Sequence, residues 1–161
     1  IAEQAAEIDS IVNNPEAPTF ENTILAFEKS GRLLTRTSAL LSALSAANGT
    51  DELRKVEEEA TPLLSAHSDA LMLNDKLFAR VKAVHDTDTQ LKDEDLRLME
   101  VLYQQFVHAG ALLSPASKDS LSKINGELSV LETKFVNQVR DATNAAALLI
   151  TDVKELDGLS Q

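Results

Sequence analysis

The sequence predicts an all-α fold, an antiparallel helical bundle of about five or six helices. Three observations lead there. Ala, Leu, Glu, Lys and Arg make up nearly half of the 161 residues, close to the share typical of long-helix proteins. Five Gly and four Pro are too few to punctuate a many-stranded protein. Apolar residues recur at spacings of three and four through most of the chain, the signature of one helix face. With 43% hydrophobic and 25% charged residues the chain is of the globular class, and its length suits one domain.

Each element has a local reason. Ile1 to Val12 reads as the end of a helix, stopped by Asn13-Asn14-Pro15 and the turn Pro15-Glu16-Ala17-Pro18. The chain opens already in helical pattern and without Met, so a piece of something longer is expected. Thr19 is a good N-cap, its hydroxyl able to take a free amide of the first turn. Behind it Phe20, Ile24, Phe27, Gly31, Leu34 and Leu41 keep helical spacing. A second row, Leu33, Thr37, Leu40, Leu44 and Ala47, predicts cover on more than one side. Gly31 inside this segment costs roughly 1 kcal/mol against Ala, which close approach of another helix would explain. Asn48-Gly49 ends the segment and Thr50 caps the next, which carries Leu53, Val56, Ala60, Leu63, His67 and Leu71. Pro62 predicts a kink there, or a restart capped by Thr61.

Asn74 caps a shorter helix with Leu77, Phe78, Val81 and Val84 inward, and a polar loop, Asp86 to Lys92, follows. From about Asp93 another helix carries Leu98, Leu102, Phe106, Ala109 and Leu113. Ser114-Pro115 is a cap with a first-turn proline, and it opens the clearest periodic stretch: Leu121, Ile124, Leu128, Leu131, Phe135, Val139, Ala142. Glu28–Arg32, Asp93–Arg97 and Asp119–Lys123 stand four apart as opposite-charge pairs. The resulting division is a helical domain over 1–144 and a tail over 145–161, with a short strand near residues 147–151. That tail holds the longest apolar run, Ala145 to Ile150, so residues 145–161 are expected to be either poorly ordered or buried against the bundle or a second copy, any dimer being a consequence of truncation.

Several function classes fall away. A net charge of −11 and a pI near 4.6 make nucleic acid a poor partner, because phosphate affinity rests on clustered cations. The apolar run at 145–150 is far short of the ~18 residues a membrane helix needs. Zero cysteines exclude disulfides and thiol catalysis. Neither zinc nor di-iron helix motifs are met: Ser68, Asp86 and Ala109 follow the three histidines, and Leu64, Lys82 and Gln105 precede them by three. His67 reads as a hydrogen-bonded core histidine, His85 and His108 as boundary residues. Glu57-Glu58-Glu59 points three ways around a helix and reads as a solvated face. No catalytic, cofactor-binding or metal-ligating residue is assigned within the chain.

Several stretches carry a resemblance. Asn14-Pro-Glu-Ala-Pro-Thr-Phe-Glu-Asn-Thr-Ile24 with Glu28-Lys-Ser-Gly-Arg-Leu-Leu34 resembles the N-terminal region of the thimet-oligopeptidase-like zinc metallopeptidases. Ala66-His-Ser-Asp-Ala70 and Asn74-Asp-Lys-Leu-Phe-Ala-Arg80, with Phe106 to Ser114, Lys134-Phe135 and Asp141-Ala-Thr143, resemble the bacterial peptidyl-dipeptidase (dipeptidyl carboxypeptidase) branch. The resemblance spans essentially the whole chain. It implies a non-catalytic helical segment forming one wall of a channel for short peptides, with zinc and its ligands in a C-terminal catalytic part. That part is the expected partner. It also implies release of C-terminal dipeptides by the parent; the cytoplasm is the expected compartment, with the periplasm or secretion as alternatives. An independent helical interaction module, or the same region of an oligopeptide endopeptidase, are the competing readings.

Overall fold

A computed structural model describes residues 1–87, 90–148 and 150–158. Six α-helices of eleven residues or more make the framework: α1 (Ala2–Val12), α3 (Arg32–Asn48), α4 (Asp51–Met72), α5 (Asp75–Thr87), α6 (Asp93–His108) and α7 (Pro115–Ala145). Between α1 and α3 lie a π-helical segment, Phe20–Leu25, and the short α2 (Ala26–Lys29). A 3-10 turn, Val153–Leu156, follows α7. Among the described residues there is no strand, so Ala147, Leu148, Ile150 and Thr151 do not form the one expected near 147–151. Residue 149 lies outside the described set.

The caps sit where side-chain oxygens can reach first-turn amides. The Thr50 and Ser114 hydroxyls accept from the Leu53 and Ser117 amides, and Asn74 Oδ1 accepts from Leu77 N–H at 3.0 Å. The segment expected to run unbroken from Phe20 to Leu41 is interrupted at Ser30–Gly31. Gly31 takes a left-handed φ of +67° and starts α3. Its amide donates to Glu7 Oε2 at 2.7 Å, and a Cβ there would meet the Gln4 side chain at 2.3 Å. Close approach is therefore the reason for glycine, as expected, but the neighbour is α1 and the result is a break. Pro62 neither breaks nor restarts α4, which is continuous through it. Instead of capping a new helix, the Thr61 hydroxyl donates to the Glu57 carbonyl at 2.8 Å.

Burial is concentrated at one end. Ile8 and Ile11 of α1, Phe20 and Ile24, Leu71 at the end of α4, four residues of α5, three of α6 and Ala111 form the core. Phe106 is fully buried, with Phe27 and Phe78 at centroid distances of 5.7 and 5.9 Å. No apolar residue of α3, of α4 before Leu71, or of α7 belongs to it. The second row of α3, expected to be covered, is exposed at Leu33, Leu40 and Leu44. Leu148, in the apolar run after α7, is 85% exposed rather than packed on the bundle. Of the helical ion pairs expected, Arg97 pairs with Glu100 at 3.5 Å instead of Asp93.

One polar hub fastens the N-terminal turn to this core. Asn22 Oδ1 accepts from the Thr19 amide, the Thr23 hydroxyl and Arg80 Nη2, and Nδ2 donates to the Ala17 carbonyl. The Thr19 hydroxyl completes a capping box by accepting from the Asn22 amide. Arg80 Nη1, reaching from α5, also donates to the carbonyls of Asn14 and Glu16. Removing one such partner strands the others, at ~1–3 kcal/mol. Asn22→Ala is therefore expected to lower stability by about 2 kcal/mol, read as a shift in urea midpoint at unchanged slope.

Candidate functional site

The three histidines lie in three different settings. His67 of α4 is half-buried, a boundary rather than a core residue, and its Nε2–H donates to Gln4 Oε1 at 2.8 Å. Gln4 in turn donates to the Ser30 hydroxyl at 3.3 Å, so the chain of bonds joins α4, α1 and the Gly31 break. Burial, then the N-terminal ammonium, lowers the His67 pKa. The His85 ring stacks on Tyr103 at 3.9 Å, with Nδ1 3.0 Å from Asp86 Oδ1. His108 is exposed at the end of α6. Among the described residues no group of three or more His, Cys, Asp or Glu is placed to hold a metal ion.

What the structure does assemble is a long antiparallel pairing of α4 with α7, and its seam is polar. Near one end Lys118 is buried, 7% exposed, and its ammonium donates to the Leu73 carbonyl at 3.1 Å and to Asp75 Oδ1. The cation thus meets the negative C-terminal end of α4 and an acidic residue opening α5. Asp69 then accepts from the Ser122 hydroxyl at 2.7 Å and from Asn125 Nδ2 at 2.8 Å. Farther on, Asn137 donates to Glu58 Oε1 at 3.1 Å and Arg54 pairs with Asp141 at 2.6 Å. Descending numbers on α4 meet ascending ones on α7, which fixes the antiparallel sense. Glu58 consequently joins the seam, so the run Glu57 to Glu59 is not wholly a solvated face.

With polar residues turned toward α4, the most regular apolar stripe of the sequence faces away from it. Ile124, Leu128, Leu131, Phe135 and Val139 are 58%, 49%, 62%, 66% and 48% exposed. The expectation that this stripe builds the core is therefore corrected. At 100° per residue it lies nearly opposite the positions of Ser122, Ser129, Thr133 and Arg140. Val56 and Leu63 of α4 are uncovered as well. Between α3, α4 and α7 runs an open groove of about 260 Å³, lined in part by Leu41, Ala60, Leu64 and Val136 with Glu57 and Arg140. Arg140 Nη1 is buried there without a partner among the described residues.

No protein-family model matches the chain. Against individual proteins, it is 39% identical over 161 residues to the dipeptidyl carboxypeptidase of Escherichia coli (strain K12), and 41% identical over 162 residues to that of Salmonella typhimurium. Each match takes in 99% of this chain. The chain is homologous to the dipeptidyl carboxypeptidases. It spans only 24% of the length of those two relatives. Organellar oligopeptidase A of Arabidopsis thaliana is 30% identical over 96% of the chain, which is 20% of its own length.

The stretches that resemble the dipeptidyl carboxypeptidases and oligopeptidases have structural jobs here. Asn14 to Ile24 builds the capping box and the hub on Asn22; Asp69 of Ala66 to Ala70 ties α4 to α7. In Asn74 to Arg80, Asn74 caps α5, Leu77 and Phe78 enter the core, and Arg80 clamps the N-terminal turn. The seam residues Asp69, Lys118, Ser122 and Asn125 were not singled out from the sequence as functional. Their signal was there: Lys118, Ser122, Asn125, Ser129, Thr133 and Asn137 form a second, polar row at helical spacing on α7.

Two outcomes follow for this chain. Asp69→Ala is expected to cost ~1–3 kcal/mol for two lost bonds, whereas Phe135→Asp should change stability by less than ~0.5 kcal/mol because it removes no buried contact; denaturant titration of both variants checks the contrast. Because the folded-state pKa of His67 is lowered, its contribution is complete above the unfolded value of 6.5 and is lost as pH falls below it. Thermal melts at pH 7 and pH 5 should therefore separate more for the natural chain than for His67→Gln.

Proposed function

We propose that this chain is a non-catalytic helical part of a bacterial zinc metallopeptidase, a peptidyl-dipeptidase that removes dipeptides from the C-termini of oligopeptides. The observation that carries the reading is homology along the full chain combined with coverage of about a quarter of the relatives. Among the described residues no group of side chains suits a zinc ion. His67 is engaged with Gln4 and His85 is stacked on Tyr103, so no step of the chemistry is routed through this chain. Its role is mechanical. A bundle end packed around Phe106, with α7 fixed to α4 by directional polar bonds, supplies a rigid wall beside which a short peptide is held while the catalytic part acts.

Among the described residues no helix is long and apolar enough to cross a membrane. One plant relative, 29% identical over 96% of the chain, is named a probable cytosolic oligopeptidase A, which supports a cytoplasmic assignment. The 30% identity to organellar oligopeptidase A favours a second reading, in which the parent cuts inside oligopeptides.

Mass analysis of products decides between them. The full-length gene product is expected to release successive C-terminal dipeptides from an N-blocked hexapeptide and to stall when the C-terminus is amidated. The 161-residue chain alone is expected to release none. Internal cleavage of the amidated peptide would establish the endopeptidase reading, and hydrolysis by the chain alone would overturn the non-catalytic role.

A further inference from the structure

We propose that the outer stripe of α7, Ile124, Leu128, Leu131, Phe135 and Val139, is the surface on which the remainder of the full-length protein seats. This rests on the reading of the chain as part of a larger peptidase and adds which residues make the joint. The stripe has the spacing of a buried helix face, yet every member is about half exposed or more. Among the described residues packing does not use it, because α4 holds α7 by the nearly opposite, polar side. It runs for ~22 Å along the helix, at 1.5 Å per residue.

Two features favour the rest of the chain over a second copy as occupant. The relatives are about four times as long as the part matched here, which on that reading leaves ample polypeptide to cover it. Uncovered apolar residues also occur on α3 (Leu33, Leu40, Leu44) and on α4 (Val56, Leu63). A two-fold dimer buries one self-complementary patch, whereas these uncovered residues are spread over three helices. A longer chain can cover all three helices at once. The fitting occupant is itself apolar at helical spacing, and it leaves the polar α4–α7 seam untouched.

Hydroxyl-radical footprinting read by mass spectrometry tests this without a substitution, since Phe135 and Phe106 are reactive side chains of opposite burial. In the 161-residue chain Phe135 is expected to oxidise at least tenfold faster than Phe106. In the full-length gene product its rate should fall to within about twofold of that of Phe106. A Phe135 that stays as reactive in the full-length protein as in the chain would overturn the proposal. Protection appearing in the chain alone as its concentration rises would also overturn it, by making a second copy the occupant. Peptidase assays on the same full-length sample keep the two readings apart: protection without dipeptide release sinks the enzymatic reading only, and release without protection sinks this one only.

Discussion

The seam between α4 and α7 is the contact on which the rest of the arrangement depends. α7 is the longest helix, and apart from Lys118 none of its residues is buried. It is held by Lys118 at the end of α4, by Asp69 to Ser122 and Asn125, and by Glu58 and Arg54 farther along. Hydrogen bonds of this kind contribute modestly in net terms but cost much when broken in a buried place. They therefore set register and direction more than they drive association. The consequence is that α7 presents its apolar stripe outward, and α3 does the same with its second row. The core around Phe106, Ile24 and Val81 holds one end of the molecule, and the α3–α4–α7 end extends from it with apolar surface to spare.

The homology to the dipeptidyl carboxypeptidases takes on a physical meaning in this light. Among the described residues the matched stretches place no group of side chains to hold a metal ion; they hold hubs. Asn22 satisfies four partners and is itself satisfied by Arg80 from α5, so the Pro-containing turn cannot drift from the core. Gln4 and Glu7 splint the break at Gly31 from α1. Together these contacts over-determine the geometry of the N-terminal turn and of the break at Gly31.

Much of the fold was legible in the sequence. The starts at Thr19, Thr50, Asn74 and Ser114 are local events, governed by one side chain and an amide three residues on, and local sequence reports them. Periodicity likewise located α5 with its four inward residues, but on α6 only Leu102 and Phe106 of the expected face are buried: Met99 joins them, and Leu113 lies beyond the helix and is exposed. What periodicity could not report was the partner of a face. The stripe from Leu121 to Ala142 is a sound helix signal, but apolar spacing does not say whether its cover lies within the chain. Gly31 shows the same limit: its break depends on Glu7 and Gln4, twenty-four and more residues away, which no window around Gly31 contains. The π-helical turn at Phe20–Leu25 is a third case, since burying Phe20, Thr23 and Ile24 together is a demand of α5 and α6 and not of the segment itself.

Stability resides at the Phe106 end, whereas in the far half of α7 no residue is buried and the hydrogen bonds to α4 are the polar pairs Asn137–Glu58 and Arg54–Asp141. Native-state hydrogen exchange on the 161-residue chain measures this directly. The account predicts that amides from Leu77 to Val84 and from Met99 to Phe106 exchange only through global unfolding, whereas those from Lys134 to Asp141 exchange through local opening at distinctly lower free energy. Equal protection of the two sets, with the same dependence on denaturant, would contradict it.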